Sequence, residues 1–106
     1  MREFNAVQLK AYLDSCDEPP LLLDVRQPWE YDICNLEDSV LIPMSQIPAK
    51  LDQLEKDQET VVICHHGVRS RRVASFLEQA GFSKVINLKG GLDAWARTVD
   101  LDMATY

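Results

Sequence analysis

The sequence predicts an α/β fold, a mostly parallel sheet with helices on both faces. Three observations predict it. Aliphatic and β-branched runs at residues 21–25, 39–42, 60–63 and 84–88 read as buried strands. Stretches with apolar residues at helical spacing separate them. Turn formers, Pro19-Pro20, Pro43, Gly67, Gly81 and Gly90-Gly91, punctuate the joins. Strands alternating with helices call for right-handed crossovers between parallel neighbours. Alternation alone leaves the strand order open. With no internal repeat or low-complexity segment, residues 1–106 read as one domain with a core of its own.

In chain order, Phe4-Asn5 closes a short edge strand and opens a helix whose face carries Ala6, Leu9, Tyr12 and Leu13. Cys16 lies at its end and reads as a packing residue. Glu18-Pro19-Pro20 breaks the helix. The 21–25 strand ends with Asp24 and Arg26, where ligand sites gather in parallel sheets. A structural ion pair or turn cap is the preferred role for them. Pro28 suits the first turn of a short helix carrying Trp29, Glu30 and Tyr31, with Trp29 read as a core or rim aromatic. Cys34 follows in a loop. It reads as incidental, the alternative being a resolving cysteine for Cys64. Ile47, Leu51 and Leu54 form the stripe of the next helix, with Pro48 in its first turn. After the 60–63 strand a helix runs over 70–80. Ser70 is its N-cap, Val73, Ala74, Leu77 and Ala80 its apolar positions, and Gly81 its stop. Gly90-Gly91 turns the last strand into a helix bearing Leu92, Ala94 and Trp95. The tail 98–106 lacks periodicity and is expected on the surface.

The chemistry concentrates at Cys64-His65-His66-Gly67-Val68-Arg69-Ser70-Arg71-Arg72. A cysteine closing an apolar strand is ordinarily an inert core residue. A structural strand end has no use for two histidines, a glycine and three arginines in one turn. A turn leading into a helix presents N–H groups without helical partners, and the helix dipole favours an anion there. Such surroundings, with cationic neighbours, lower the pKa of a thiol. The stretch therefore reads as a nucleophilic cysteine in an anion cradle. Cysteine beside histidine also suggests a thiol protease pair or a metal site. Neighbours on a tight turn rarely converge on one atom, and no carboxylate or second cysteine at metal-ligand spacing completes a set, so no metal is expected.

Cys64 to Ser70 resembles the active-site loop of the rhodanese-like domains, specifically the small single-domain sulfurtransferases. Leu22-Leu23-Asp24-Val25-Arg26 with Trp29-Glu30-Tyr31 resembles the family's upstream signature, and the segment from Asn87 through Gly90-Gly91 to Trp95 its C-terminal one. Cys34-Asn35-Leu36-Glu37-Asp38-Ser39 departs from the Gly-His-Ile-Pro-Gly-Ala-like stretch common there. The resemblance implies a five-stranded sheet and sulfur transfer through a Cys64 persulfide. Thiosulfate or a persulfide is the donor, cyanide or a thiol the acceptor, and a protein persulfide or thiol a further candidate partner. His65, His66, Gly67, Val68, Arg69 and Ser70 would bind substrate. Backbone N–H groups from His65 to Ser70 hold the outer sulfur, and Arg69 attracts the anionic donor. The histidines either tune charge or line the rim. No cofactor is implied.

Two other readings compete. A cysteine phosphatase or arsenate reductase places five residues between cysteine and arginine, whereas four separate Cys64 from Arg69. A non-catalytic binding module commonly lacks the cysteine, which this chain keeps. The net charge of −6 disfavours general nucleic-acid or anionic-membrane binding. No apolar run is long enough to span a bilayer, no secretory h-region follows Met1, and three cysteines make no disulfide framework. These features point to the cytoplasm.

Overall fold

The computed structural model describes residues 1–106. Its elements are β1 (Arg2–Phe4), α1 (Ala6–Ser15), β2 (Leu21–Asp24), α2 (Pro28–Ile33), β3 (Val40–Leu41), α3 (Ile47–Lys50), β4 (Thr60–Ile63), α4 (Val68–Gln79), β5 (Val85–Leu88) and α5 (Gly91–Thr98). The strands form one sheet in the order β1-β5-β4-β2-β3, every neighbouring pair parallel. β4 lies at the centre with all its residues buried, as its unbroken Thr-Val-Val-Ile run requires.

Alternation along the strands divides the core in two. Leu23, Val62, Cys64 and Val85 pack against Val73, Ala74 and Leu77 of α4 and Ile47 of α3. Leu22, Val61, Ile63, Ile86 and Leu88 pack against Ala6 and Leu9 of α1 and Leu92 and Trp95 of α5. Helices thus cover both faces, and the carboxyl ends of β2, β4 and β5 open on one edge, where the cysteine lies.

Asn5 starts α1 with a capping box. Its side chain accepts from the Gln8 N–H at 2.8 Å, and Gln8 Oε1 accepts from the Asn5 N–H at 2.9 Å. Pro28 stands in the first turn of α2 as expected. Other expectations change. The third strand shrinks to Val40–Leu41. The helix expected from the Ile47 stripe is one α-helical turn flanked by 3₁₀ turns, Met44–Gln46 and Leu51–Gln53. Pro48 removes a donor and so short a segment cannot offset its nucleation cost, yet Ile47, Leu51 and Leu54 still face the core. α4 begins at Val68, two residues before the expected start, with Gly67 as its N-cap at φ 93°. A side chain at 67 would place its Cβ 2.9 Å from the Gly90 nitrogen, so only glycine lets the chain turn so early. Ser70 is therefore inside the first turn and its hydroxyl is free for another task.

Candidate active site

The loop between β4 and α4 curls around one sulfur atom. Cys64 is 1% exposed. Its Sγ accepts the N–H of Gly67 at 3.1 Å and of Ser70 at 3.3 Å, two of the donors that a helix start leaves without helical partners. The Cys64 and Ser70 side chains lie 3.3 Å apart, the thiol donating to Oγ.

The loop is held in this shape from outside. The first N–H groups of α5 reach back to it, Leu92 to the Cys64 carbonyl at 2.9 Å and Asp93 to the His65 carbonyl at 3.0 Å. One helix start thereby satisfies the loop's carbonyls, while the loop's own N–H groups turn toward the sulfur. The approach demands glycine at 91, where a Cβ would stand 2.5 Å from the Cys64 oxygen and 2.4 Å from that of His65.

A buried polar chain runs from the sulfur to the edge strand. Ser70 Oγ donates to Asn87 Oδ1 at 2.5 Å, and Asn87 Nδ2 donates to Glu3 Oε2 at 2.9 Å. Asn87 was not foreseen as a site residue. Its signal was one polar side chain in the run Val-Ile-Asn-Leu, all of it buried.

The three arginines of the motif do not converge on the sulfur. Arg71 pairs with Glu3 at 3.2 Å, and Arg72 flanks Ile47 and Phe76 on the far side of the helix. Arg69 closes fork to fork on Glu30 of α2, at 2.6 and 2.8 Å. Hydrogen bonding from Arg69, against the opposing effect of burial, holds the Glu30 carboxyl down at about 2. The cation nearest the cradle thus arrives with its counter-ion attached, another contact that local sequence could not show.

Asp24 and Arg26 form the structural ion pair expected of them, fully buried at 2.8 Å. Arg26 also donates to the carbonyl of Cys34 at 2.6 Å and to the Tyr106 hydroxyl at 3.0 Å. Burial opposes the Arg26 charge, and its hydrogen bonds to Asp24 and Tyr106 more than offset this, raising its pKa. Cys34 is half-buried, its Sγ 3.7 Å from Arg26 Nη1, and it lines a small hollow with His65 and Tyr106.

The tail lies on the surface as expected, but its last residue, Tyr106, 37% exposed, docks by its hydroxyl and ring face. Its hydroxyl donates to Glu30 Oε2 at 2.7 Å, its ring lies 4.0 Å from that of His65, and Trp29 meets it edge-on. Burial, partly countered by the Arg26 hydrogen bond, pushes the phenol up to about 12. The tail returns because Arg26 and Glu30 offer one hydroxyl both a donor and an acceptor. Trp29, 59% exposed, lies on the rim and not in the core.

The His65 and His66 rings meet edge to face, their centroids 4.0 Å apart. Burial, aided by the neighbouring His66, holds the His65 imidazole below its ordinary range. His66 is 64% exposed, with Nε2 3.9 Å from Asp93 Oδ2. Val68 opens α4 and is exposed beside the loop. Of the residues singled out by sequence, Gly67 and Ser70 touch the sulfur. Arg69 lies beside the loop and the histidines within it, and none of the three side chains hydrogen-bonds the sulfur.

Residues 5–98 match the rhodanese-like domain. The chain belongs to the rhodanese-like domain family. A sulfurtransferase of Allochromatium vinosum is 39% identical over 80 residues, covering 76% of this chain and 75% of that one. YtwF of Bacillus subtilis is 38% identical over 95 residues, covering 90% of each. The crystal structure of a rhodanese-like domain protein from Staphylococcus aureus superposes with a TM-score of 0.83 at 33% identity, covering 90% of this chain and 91% of that one. The five-stranded parallel sheet is the family's, as the resemblance implied. No helix is long and apolar enough to cross a membrane.

Proposed function

We propose that the protein is a sulfurtransferase working through a persulfide on Cys64. The observation that carries this reading is the sulfur itself, buried at the carboxyl end of the central strand and receiving two backbone N–H groups. Membership of a family with sulfurtransferase relatives supports it.

In the first half-reaction the Cys64 thiolate attacks the outer sulfur of thiosulfate or of a persulfide donor. A new S–S bond forms, and the bond to the donor breaks. Sulfite, or the donor's thiolate, leaves with the electron pair. In the second, cyanide or a thiolate attacks the outer sulfur and Cys64 departs as thiolate. Sulfur passes through the enzyme in two displacements, which is covalent catalysis with ping-pong kinetics. The amides of Gly67 and Ser70 stabilise the anionic sulfur, and the remaining loop N–H groups up to Ser70 hold the outer sulfur of the persulfide. Donors fixed in a dry site contribute about 3 kcal/mol each to such charge. Ser70 Oγ accepts from the sulfur while it is a thiol, its own proton being donated to Asn87 Oδ1. Arg69, with Glu30 behind it, steadies the leaving group. His65, His66 and Val68 border the mouth, and with Trp29 they leave it open to a thiol carried on another protein.

Steady-state kinetics with thiosulfate and cyanide test the reading. Parallel double-reciprocal lines are expected for the native chain and no thiocyanate above background for Cys64→Ser, a nearly isosteric change. Retained turnover in Cys64→Ser refutes the assignment.

A further inference from the structure

We propose that His65, His66 and Asp93 form a binding site for a first-row divalent cation of the imidazole-preferring kind, at the mouth of the Cys64 loop. From sequence no metal is expected, because neighbours on a tight turn rarely converge on one atom and no carboxylate or second cysteine completes a set; in the structure the two imidazoles nevertheless meet, centroids 4.0 Å apart. The fold also supplies the carboxylate. α5 docks under the loop with its first N–H groups, and the Asp93 N–H on the His65 carbonyl, at 3.0 Å, brings that side chain against the two imidazoles. One ligand atom from each of the three residues lies within 4.8 Å of the others.

The chemistry of the set selects the ion. Two imidazoles and one carboxylate suit zinc, nickel or cobalt, and not magnesium or calcium, which take oxygen ligands. Ligand atoms about 2.1 Å from such a metal stand roughly 3 to 3.5 Å from each other. Closing the existing set to that spacing takes about an ångström of movement. His66, 64% exposed, already has Nε2 3.9 Å from Asp93 Oδ2 and is free to rotate toward the shared centre. His65 and Asp93 are already fixed on the backbone hydrogen bond that joins them. The Nδ1 of His65 is buried without a hydrogen-bond partner, so no protein group fixes the tautomer of that ring. Three ligands leave further positions for water, the arrangement of an exchangeable site and not of a structural one. Cys64, enclosed under its amides, is not part of the set. One cation opposes binding: Arg97 Nε lies 3.3 Å from Asp93 Oδ2. A metal held here shares the mouth of the loop with any donor and competes with it.

The probe is Ni²⁺, titrated calorimetrically into the full chain under reducing conditions, with circular dichroism to verify the fold of each variant. Native protein and Cys64→Ser are expected to bind one equivalent with the same affinity. His66→Ala and Asp93→Asn are expected to weaken binding at least tenfold, and Arg97→Ala, by freeing the carboxylate, to tighten it severalfold. Co²⁺ in place of Ni²⁺ is expected to show ligand-field bands without a thiolate charge-transfer band. The proposal is overturned if native protein shows no saturable binding, or if His66→Ala and Asp93→Asn bind as native does. Loss of binding in Cys64→Ser overturns it equally, because the metal would then sit on sulfur.

Discussion

Arg69 and Glu30 meet fork to fork, Nη1 donating to Oε1 at 2.6 Å and Nη2 to Oε2 at 2.8 Å. The pair ties α4, the helix that follows the Cys64 loop, to the short helix α2. Glu30 is buried on its side of the pair, while Arg69 is about one-third exposed, 32% of its side chain.

This geometry makes stability depend on acid. The Glu30 pKa falls from an ordinary 4.5 to about 2 in the folded protein. A depressed carboxyl contributes stability that is fully present above the unfolded pKa and is lost as pH falls through the folded one. The window is therefore about pH 4.5 down to about 2, and the contribution is on the order of 3 kcal/mol. Thermal melts across that range, native against Glu30→Gln, are expected to differ most above pH 4.5 and to converge toward pH 2. A gap independent of pH contradicts the pairing.

Removing the arginine does more than delete a positive charge. Arg69→Ala leaves the buried Glu30 carboxylate with its hydrogen bonds from Tyr106 and Gln27 but without its paired cation. An anionic donor then meets net negative charge. The expected loss in kcat/KM is about tenfold greater for thiosulfate than for a neutral donor, equivalent to about 1.4 kcal/mol. Equal losses with both donors would show that Arg69 only supports the loop.

Ser70 and Asn87 share a hydrogen bond that neither can replace with water. Ser70→Ala leaves the buried Asn87 Oδ1 without its donor and is expected to cost about 1–3 kcal/mol in denaturant unfolding. Asn87→Ala is expected to cost a similar amount, and the double variant less than the sum, because both polar ends disappear together. Strict additivity in that cycle would mean the two side chains are not partners.

These two residues also show what was legible beforehand. β4 is visible because a fully buried strand is written as a nearly continuous apolar run, β5 because its run is interrupted only at Asn87, and Gly67 because a reversal needs positive φ. Ser70 was placed at the helix start by its preference for caps, a local property. The close packing of Gly67 on Gly90 started the helix earlier, and that contact spans two loops distant in sequence. The Glu30–Arg69 fork, the Asp93 approach and the return of Tyr106 are likewise contacts between separate elements. Periodicity carries no trace of them. Only single buried polar residues such as Asn87 hint that a partner must exist.

Tyr106 offers a spectroscopic check of the tail. Its phenol, raised to about 12, sits between Arg26 and Glu30. Alkaline titration of tyrosinate absorbance is expected to lose a component near 12 in Tyr106→Phe. Loss of the hydroxyl should also lower stability by about 1 kcal/mol. If the missing component titrates near 10, the ordinary value, the tail does not dock as described.

The most direct test of the central claim weighs the protein. After incubation with thiosulfate and removal of excess donor, intact-mass spectrometry is expected to show a gain of one sulfur atom. Peptide mapping should place it on Cys64, and Cys64→Ala should show no gain. A sulfur found on Cys16 or Cys34, or an unchanged mass in the native protein, contradicts the account.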